Sequence, residues 1–295
     1  MTTSVTLVRL FDRSWAAWLR GVEACGKTPT RKAVHALRVD ARRLEALIEV
    51  LRYATDAPPK ALRRLAKVAG EPLDALARLR DDQVQRRLVG GMEGTESTEA
   101  LLSYLHKRQT RHKKRALRAL ARIDRRRADA AARRVRKGVV RHQGAPTPRE
   151  RTSLLLAAVD GAATDVRSRI ARLDTGNSKT PHKLRIALKR FRYVTEIAEE
   201  VSPQVRVASQ PTLRALQRRL GQLHDADVLL ARLDCFAARA RKHRGEVGTL
   251  KKTIESSRAG YVRGLSGSLP ALRHALTELA ARSSSRAVAR QRTAR

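Results

Sequence analysis

Apolar residues recur along most of this chain at intervals of three and four, and strict alternation is rare. That spacing lays a stripe along a helix rather than covering one face of a strand. The pattern predicts an all-α fold of eight helices, over about residues 4–24, 31–54, 58–89, 97–138, 150–173, 181–201, 209–241 and 246–281. Gly70 and Pro72 interrupt the third, where proline removes a donor and crowds the preceding turn, so a kink or split is expected. Gly90 and Gly91, followed by Glu93, Glu96 and Glu99, read as a short acidic loop. The segment GVVRHQGAPTP, from Gly138 to Pro148, reads as a linker near the midpoint. It separates an N-terminal unit, 1–140, from a C-terminal unit, 150–282, and the stretch 283–295 reads as a disordered basic tail.

The second predicted helix separates core from charge. Val34, Leu37, Ala41, Leu44, Ile48 and Leu51 form an apolar stripe, while Arg31, His35, Arg38 and Arg42 form a cationic one beside it. Like charges at these spacings destabilise an isolated helix by a few tenths of a kcal/mol per pair. Packing alone does not ask for that arrangement.

Charge across the whole chain sharpens the question. Lys and Arg total 64 against 28 Asp and Glu, a formal charge of +36, with 42% hydrophobic residues to furnish a core. Such an excess opposes folding by self-repulsion and is tolerated where the partner is a polyanion: DNA, RNA, an anionic membrane face or a non-nucleic polyphosphate. Aromatic residues are only 3% of the chain, whereas single-strand and RNA binders rely on aromatic stacking. Trp15 and Trp18 sit on an apolar N-terminal pattern and read as core. The chain is equipped to hold phosphates and poorly equipped to hold bases. Two cysteines, Cys25 and Cys235, are too few for a disulfide framework, no apolar run suits a membrane span, and the start lacks a signal-peptide pattern. A reducing, cytoplasmic setting is expected, with no membrane partner.

The cationic stripe returns in the second half. His182, Leu184, Arg185, Ile186, Lys189 and Arg190 match His35, Leu37, Arg38, Val39, Arg42 and Arg43, all at an offset of 147. Leu220, Leu223, Asp225 and Val228 likewise match Leu76, Leu79, Asp81 and Val84, at an offset of 144. Two matches in the same order imply a duplicated unit of about four helices.

At these residues the chain resembles the CHAD family, the conserved histidine α-helical domain. VHALRVDARRLEALIEVL (34–51) and PHKLRIALKRFRYVTEIAE (181–199) are similar to the two copies of its signature helix. LARLRDDQVQRRL (76–88) and LGQLHDADVLLARL (220–233) are similar to its second motif, L-x-x-L-R-D-A-D-V. Gln83 stands where that motif has its second Asp, and His224 where it has Arg. The resemblance implies two four-helix bundles related by an internal pseudo-twofold. It further implies that basic side chains of both halves line a central groove or pore for inorganic polyphosphate, with association with polyphosphate granules. No acidic, strand-rich triphosphatase segment accompanies the motifs, so a stand-alone binding module is expected.

The polyphosphate-binding candidates are His35, Arg38, Arg42, Arg43, His182, Arg185, Lys189, Arg190 and Arg192, with Arg108, Arg111, Lys114, Arg115 and Arg258 as additions. Phosphate or sulfate ions are expected to occupy the same places. Arginine's planar fork suits bidentate phosphate contact and lysine supplies a point charge. His35 and His182 head their stripes; each has a packing reading and a phosphate-facing one. A nearby phosphate raises an imidazole pKa, so binding is expected to strengthen as pH falls from 8 to 5.5 in the region where histidine ordinarily titrates, about 6.5. The rival reading is a nucleic-acid-binding, nucleoid-type protein, for which the charge argues equally.

Catalysis is not expected. LHDAD (223–227) contains a His-Asp pair of the metal-hydrolase kind, but Arg80 replaces His224 at the repeated position and arginine is no metal ligand. Asp81 and Asp225 read as carboxylates that orient the basic stripes. There is no phosphate-binding Gly loop and no G-x-S-x-G turn. His106 and His112 have no carboxylate near them in sequence. Neither a cofactor nor a metal is expected.

Overall fold

The computed structural model describes residues 6–142, 146–205 and 210–293, with side chains at Arg241 and from 282 onward left undescribed. Among the described residues ten α-helices follow one another: α1 (Leu7–Lys27), α2 (Arg31–Ala54), α3 (Pro59–Val89), α4 (Glu96–Ala121), α5 (Arg125–His142), α6 (Pro148–Ala171), α7 (Lys179–Val201), α8 (Gln210–Ala237), α9 (Arg244–Ser266) and α10 (Leu269–Thr293). There is no strand among the described residues. Side-chain caps set several starts. Thr6, Thr30, Thr95 and Thr147 each accept a hydrogen bond from the backbone N–H three residues on, satisfying a donor the first turn leaves open.

Two long helices expected from the pattern are each divided. The span 97–138 breaks at Arg122–Asp124, where the Asp124 carboxylate accepts from Arg127 N–H and caps a new helix. The span 246–281 breaks at Gly267–Ser268, ahead of Pro270, which fits a first turn but not a helix interior. Four helices per half therefore become five. Pro72 does not split α3, which runs unbroken past it. α10 continues to Thr293, through the stretch expected as a disordered tail; 283–293 contains no Gly or Pro to stop it.

The core runs through both halves. Trp18, Phe11, Leu37, Leu44, Ile48, Leu65 and Leu76 join Leu184, Leu188, Phe191, Leu216 and Leu223 in one apolar cluster. α2 packs on α1 and α3, and α7 packs on α6 and α8. The decisive contact is between α2 and α7 themselves, which lie against each other at the centre. Trp15 stacks on Trp18 at 5.0 Å, and the Trp18 indole N–H donates to Ala69 O, as core residues do.

The expected linker begins inside a helix. α5 runs through Gly138 to His142, and 143–145 lie outside the described residues. Gly138 is where α5 meets the α2–α3 turn: a Cβ there would stand 2.5 Å from the Ala57 Cα. Gly138→Ala gains up to about 1 kcal/mol of helix propensity but drives two backbones apart. Overpacking of that kind costs about 1–3 kcal/mol. A net loss of stability in urea unfolding is expected, and an unchanged or raised midpoint would contradict this packing.

Candidate functional site

Apolar positions of α2 and α7 fix how their polar positions face. With Leu37, Ala41 and Leu44 buried on one helix and Leu184, Leu188 and Phe191 on the other, the residues stepping beside them meet at the seam. His35, Arg38 and Arg42 of α2 confront His182, Arg185 and Lys189 of α7. The electrostatics record it: Lys189 acts on His35, Arg185 on Arg38, and Arg42 on His182, Arg185 and Lys189. The second motif completes the cluster. α3 brings Arg80 and Asp81, and α8 brings His224 and Asp225.

Apart from exposed His35, these groups are half-buried and mostly of one sign. Burial, then Arg42, lowers the Arg38 guanidinium to about 10, and its Nη1 donates to Leu73 O at 2.8 Å. Burial, followed by Arg185, Arg38 and Arg42, drives the Lys189 ammonium down to about 7. Arg185 is lowered chiefly by burial, and its Nε is buried without a hydrogen-bond partner. Two carboxylates stand between the cations. Burial raises Asp81 against the pull of Arg38 and Arg185, and raises Asp225 against Arg185 and Arg80.

The histidines differ in setting. His35 is exposed and His182 half-buried, and both are lowered first by burial and then by neighbouring cations. His224 takes the place of the motif arginine and sets its Nδ1 3.2 Å from His182 Nδ1, with ring centroids 4.6 Å apart. Burial and Arg185 take it down to about 3, so the pair shares one hydrogen bond between neutral rings.

The other predicted residues lie elsewhere. Arg43 turns toward α1, beside Asp40, in a groove of about 610 Å³ that also holds Arg13, Tyr193 and Glu196. Arg190 is drawn off by Glu49 at 2.7 Å and Asp165 at 3.9 Å. Arg192 donates to Gln217 Oε1 and Glu196 and lies over the Tyr193 ring. Arg258 pairs with Asp227 at 2.6 Å and donates to Thr175 O, tying α9 to α8. Arg108 faces Asp82 at 3.6 Å and ties α4 to α3, while Arg111, Lys114 and Arg115 are exposed on α4. His112 does have a carboxylate: Asp82, fully buried and thirty residues away in sequence, accepts from its Nδ1.

The sequence places this architecture in a family. A family model described as the CHAD domain matches residues 9–234. The chain belongs to the CHAD domain family. Among solved structures it is similar to the CHAD domain from the plant Ricinus communis, with a TM-score of 0.67 at 17% identity over 92% of this chain and 93% of that one. It is also similar to PptA from Streptomyces chartreusis, with a TM-score of 0.58 at 20% identity over 90% and 98% of the two chains. At these identities the likeness is one of fold. No curated protein matched at a significant level.

CHAD domains are in general polyphosphate-binding, non-catalytic modules, and the motif residues of this one supply its central cations. A groove of about 450 Å³ opens beside the cluster, lined by Asp81, Lys179, His182, Lys183, His224 and Arg232. Arg232 acts on Asp81, and its Nε is buried without a hydrogen-bond partner. Arg80, Lys179, Lys183 and Arg232 were not among the sequence candidates. Arg80 and Arg232 lie on the second-motif helices α3 and α8. No group of three or more His, Cys, Asp or Glu suited to a metal occurs among the described residues, and no described helix is long and apolar enough to cross a membrane.

Proposed function

We propose that this CHAD domain holds inorganic polyphosphate at the seam of α2 and α7, as a binding protein without catalysis. One observation carries the reading. Arg38, Arg42, Arg80, Arg185 and Lys189, from three helices, converge around two carboxylates in a half-buried site. Five cations so placed oppose folding when unliganded, and a polyanion relieves them. A linear polyphosphate supplies successive charges along a thin chain, and helical steps of three and four place cations about 5–6 Å apart to meet them. The two stripes descend, in this reading, from duplicated halves whose signature helices face each other. Association with polyphosphate granules follows from the same affinity.

Nothing in the site favours nucleic acid. The groove beside the cluster has cations, imidazoles and carboxylates in its lining together with Ser178, Val228 and Ala231, and no Phe, Tyr or Trp on which a base could stack. Competition at fixed salt decides between them. Long-chain polyphosphate is expected to displace duplex DNA and RNA at equal phosphate concentration, and its binding to weaken steeply with salt through counterion release. Displacement of polyphosphate by either nucleic acid at equal phosphate would overturn the proposal.

A further inference from the structure

A second basic concavity lies apart from the seam. α5 approaches α3 closely because its inner face is small: Ala128, Ala131, Ala132, Val135 and Gly138 are buried. Between the two helices and the α4–α5 turn a groove of about 810 Å³ is left open, lined by Arg64, Lys67, Arg122, Arg127 and Arg134. All five cations are exposed. Only two carboxylates share the lining, Glu71 and Asp124. Asp124 is already engaged, by Arg127 at 3.1 Å and by the first turn of α5. The remaining lining is alanine and valine, with no aromatic ring, amide or hydroxyl side chain that would read a base or orient a particular small molecule.

We propose that this groove is a second seat for polyphosphate, so that one molecule engages two stretches of polymer. The inference rests on the preceding reading only for the identity of the polymer. The shape favours a thin strand over a duplex. Packed helices lie about 8–10 Å apart, and a duplex whose major groove alone is about 12 Å wide rests on the rim of such a furrow. The two seats are distinct. Lys67 and Arg80 lie thirteen residues apart on α3, which is about 20 Å along a helix. A long chain that occupies both seats gains avidity, and two chains taken by one molecule are bridged.

Calorimetric titration of the full chain with tripolyphosphate tests this, because that ligand is too short to span the seats. Two sites per chain are expected. The combined substitution Arg64→Gln, Lys67→Gln and Arg134→Gln, all at exposed positions, is expected to leave one. Arg185→Gln with Lys189→Met is expected to leave one as well, the groove. With long-chain polyphosphate, the groove variant is expected to bind on the order of 10²-fold more weakly than the parent. A groove variant that keeps the parent's stoichiometry and long-chain affinity overturns the second seat. A central variant that keeps both sites, while the groove variant loses one, instead overturns the reading of the seam. Loss of duplex DNA binding in the groove variant with polyphosphate binding intact assigns the groove to nucleic acid and likewise ends the proposal.

Discussion

Replacing Arg38, Arg42, Arg185 and Lys189 together by glutamine is expected to abolish polyphosphate binding, raising Kd on the order of 10³-fold or more. Hydrogen bonds to charged groups contribute about 1.5–3 kcal/mol each, and four lost from one site compound to at least that factor even where neighbours are not additive. Glutamine is preferred to charge reversal because Asp81 and Asp225 already face these cations. Added carboxylates there would be repelled and would confuse lost binding with lost folding. The fold is expected to survive, since the substitution also removes repulsion between α2 and α7, and circular dichroism with urea unfolding checks it. An equal charge removed at Arg286, Arg290, Arg292 and Arg295 is expected to change affinity only through long-range attraction, within about tenfold and disappearing at high salt. If that set caused the same loss at 0.15 M salt, affinity would reside in bulk charge rather than in a seam.

The central residues were legible because a helix converts spacing into direction. His35, Arg38 and Arg42 step by three and four, as do His182, Arg185 and Lys189, and those six meet. Arg43 and Arg190 each follow a seam residue by one position, which is about 100° around the axis. They leave the seam for Asp40 and Glu49. Motif membership had grouped them with the others, and rotation separates them. The pairings of Arg108, Arg258 and His112 were not legible at all. Their partners, Asp82 and Asp227, lie about thirty residues away and become neighbours only when α4 packs on α3 and α9 on α8. The same limit hid the break at Arg122–Asp124. No Gly or Pro marks it, only an aspartate whose capping role depends on the chain already having turned.

The histidine expectation shifts for a related reason. Burial and surrounding cations hold His35, His182 and His224 below the ordinary imidazole range in the free protein, so they stay neutral at pH 7. The group poised near neutrality is the lysine.

Stability of the free protein is therefore expected to rise with pH from 7 to 9. Lys189 falls from 10.5 to about 7 on folding, so over that window the unfolded chain holds a proton the folded one has released. Stability then rises by about 1.4 kcal/mol per pH unit. Two units yield about 2–3 kcal/mol, read as a higher urea midpoint at pH 9 than at pH 7. The window is set by the neighbours. Histidine protonation acts below it, while Cys25, raised to about 11 by burial from its ordinary 9, acts with the opposite sign above it. Lys189→Met removes the ammonium, and is expected to flatten the slope and stabilise the protein at pH 7. Polyphosphate acts on the same proton. A bound polyanion restores the ammonium, so binding takes up a proton and Kd is expected to rise up to about tenfold per pH unit between 7 and 9. The variant should bind more weakly at pH 7 and lose that dependence. A parent whose affinity and stability are both flat across the window would place Lys189 in water, facing away from the arginines of α2.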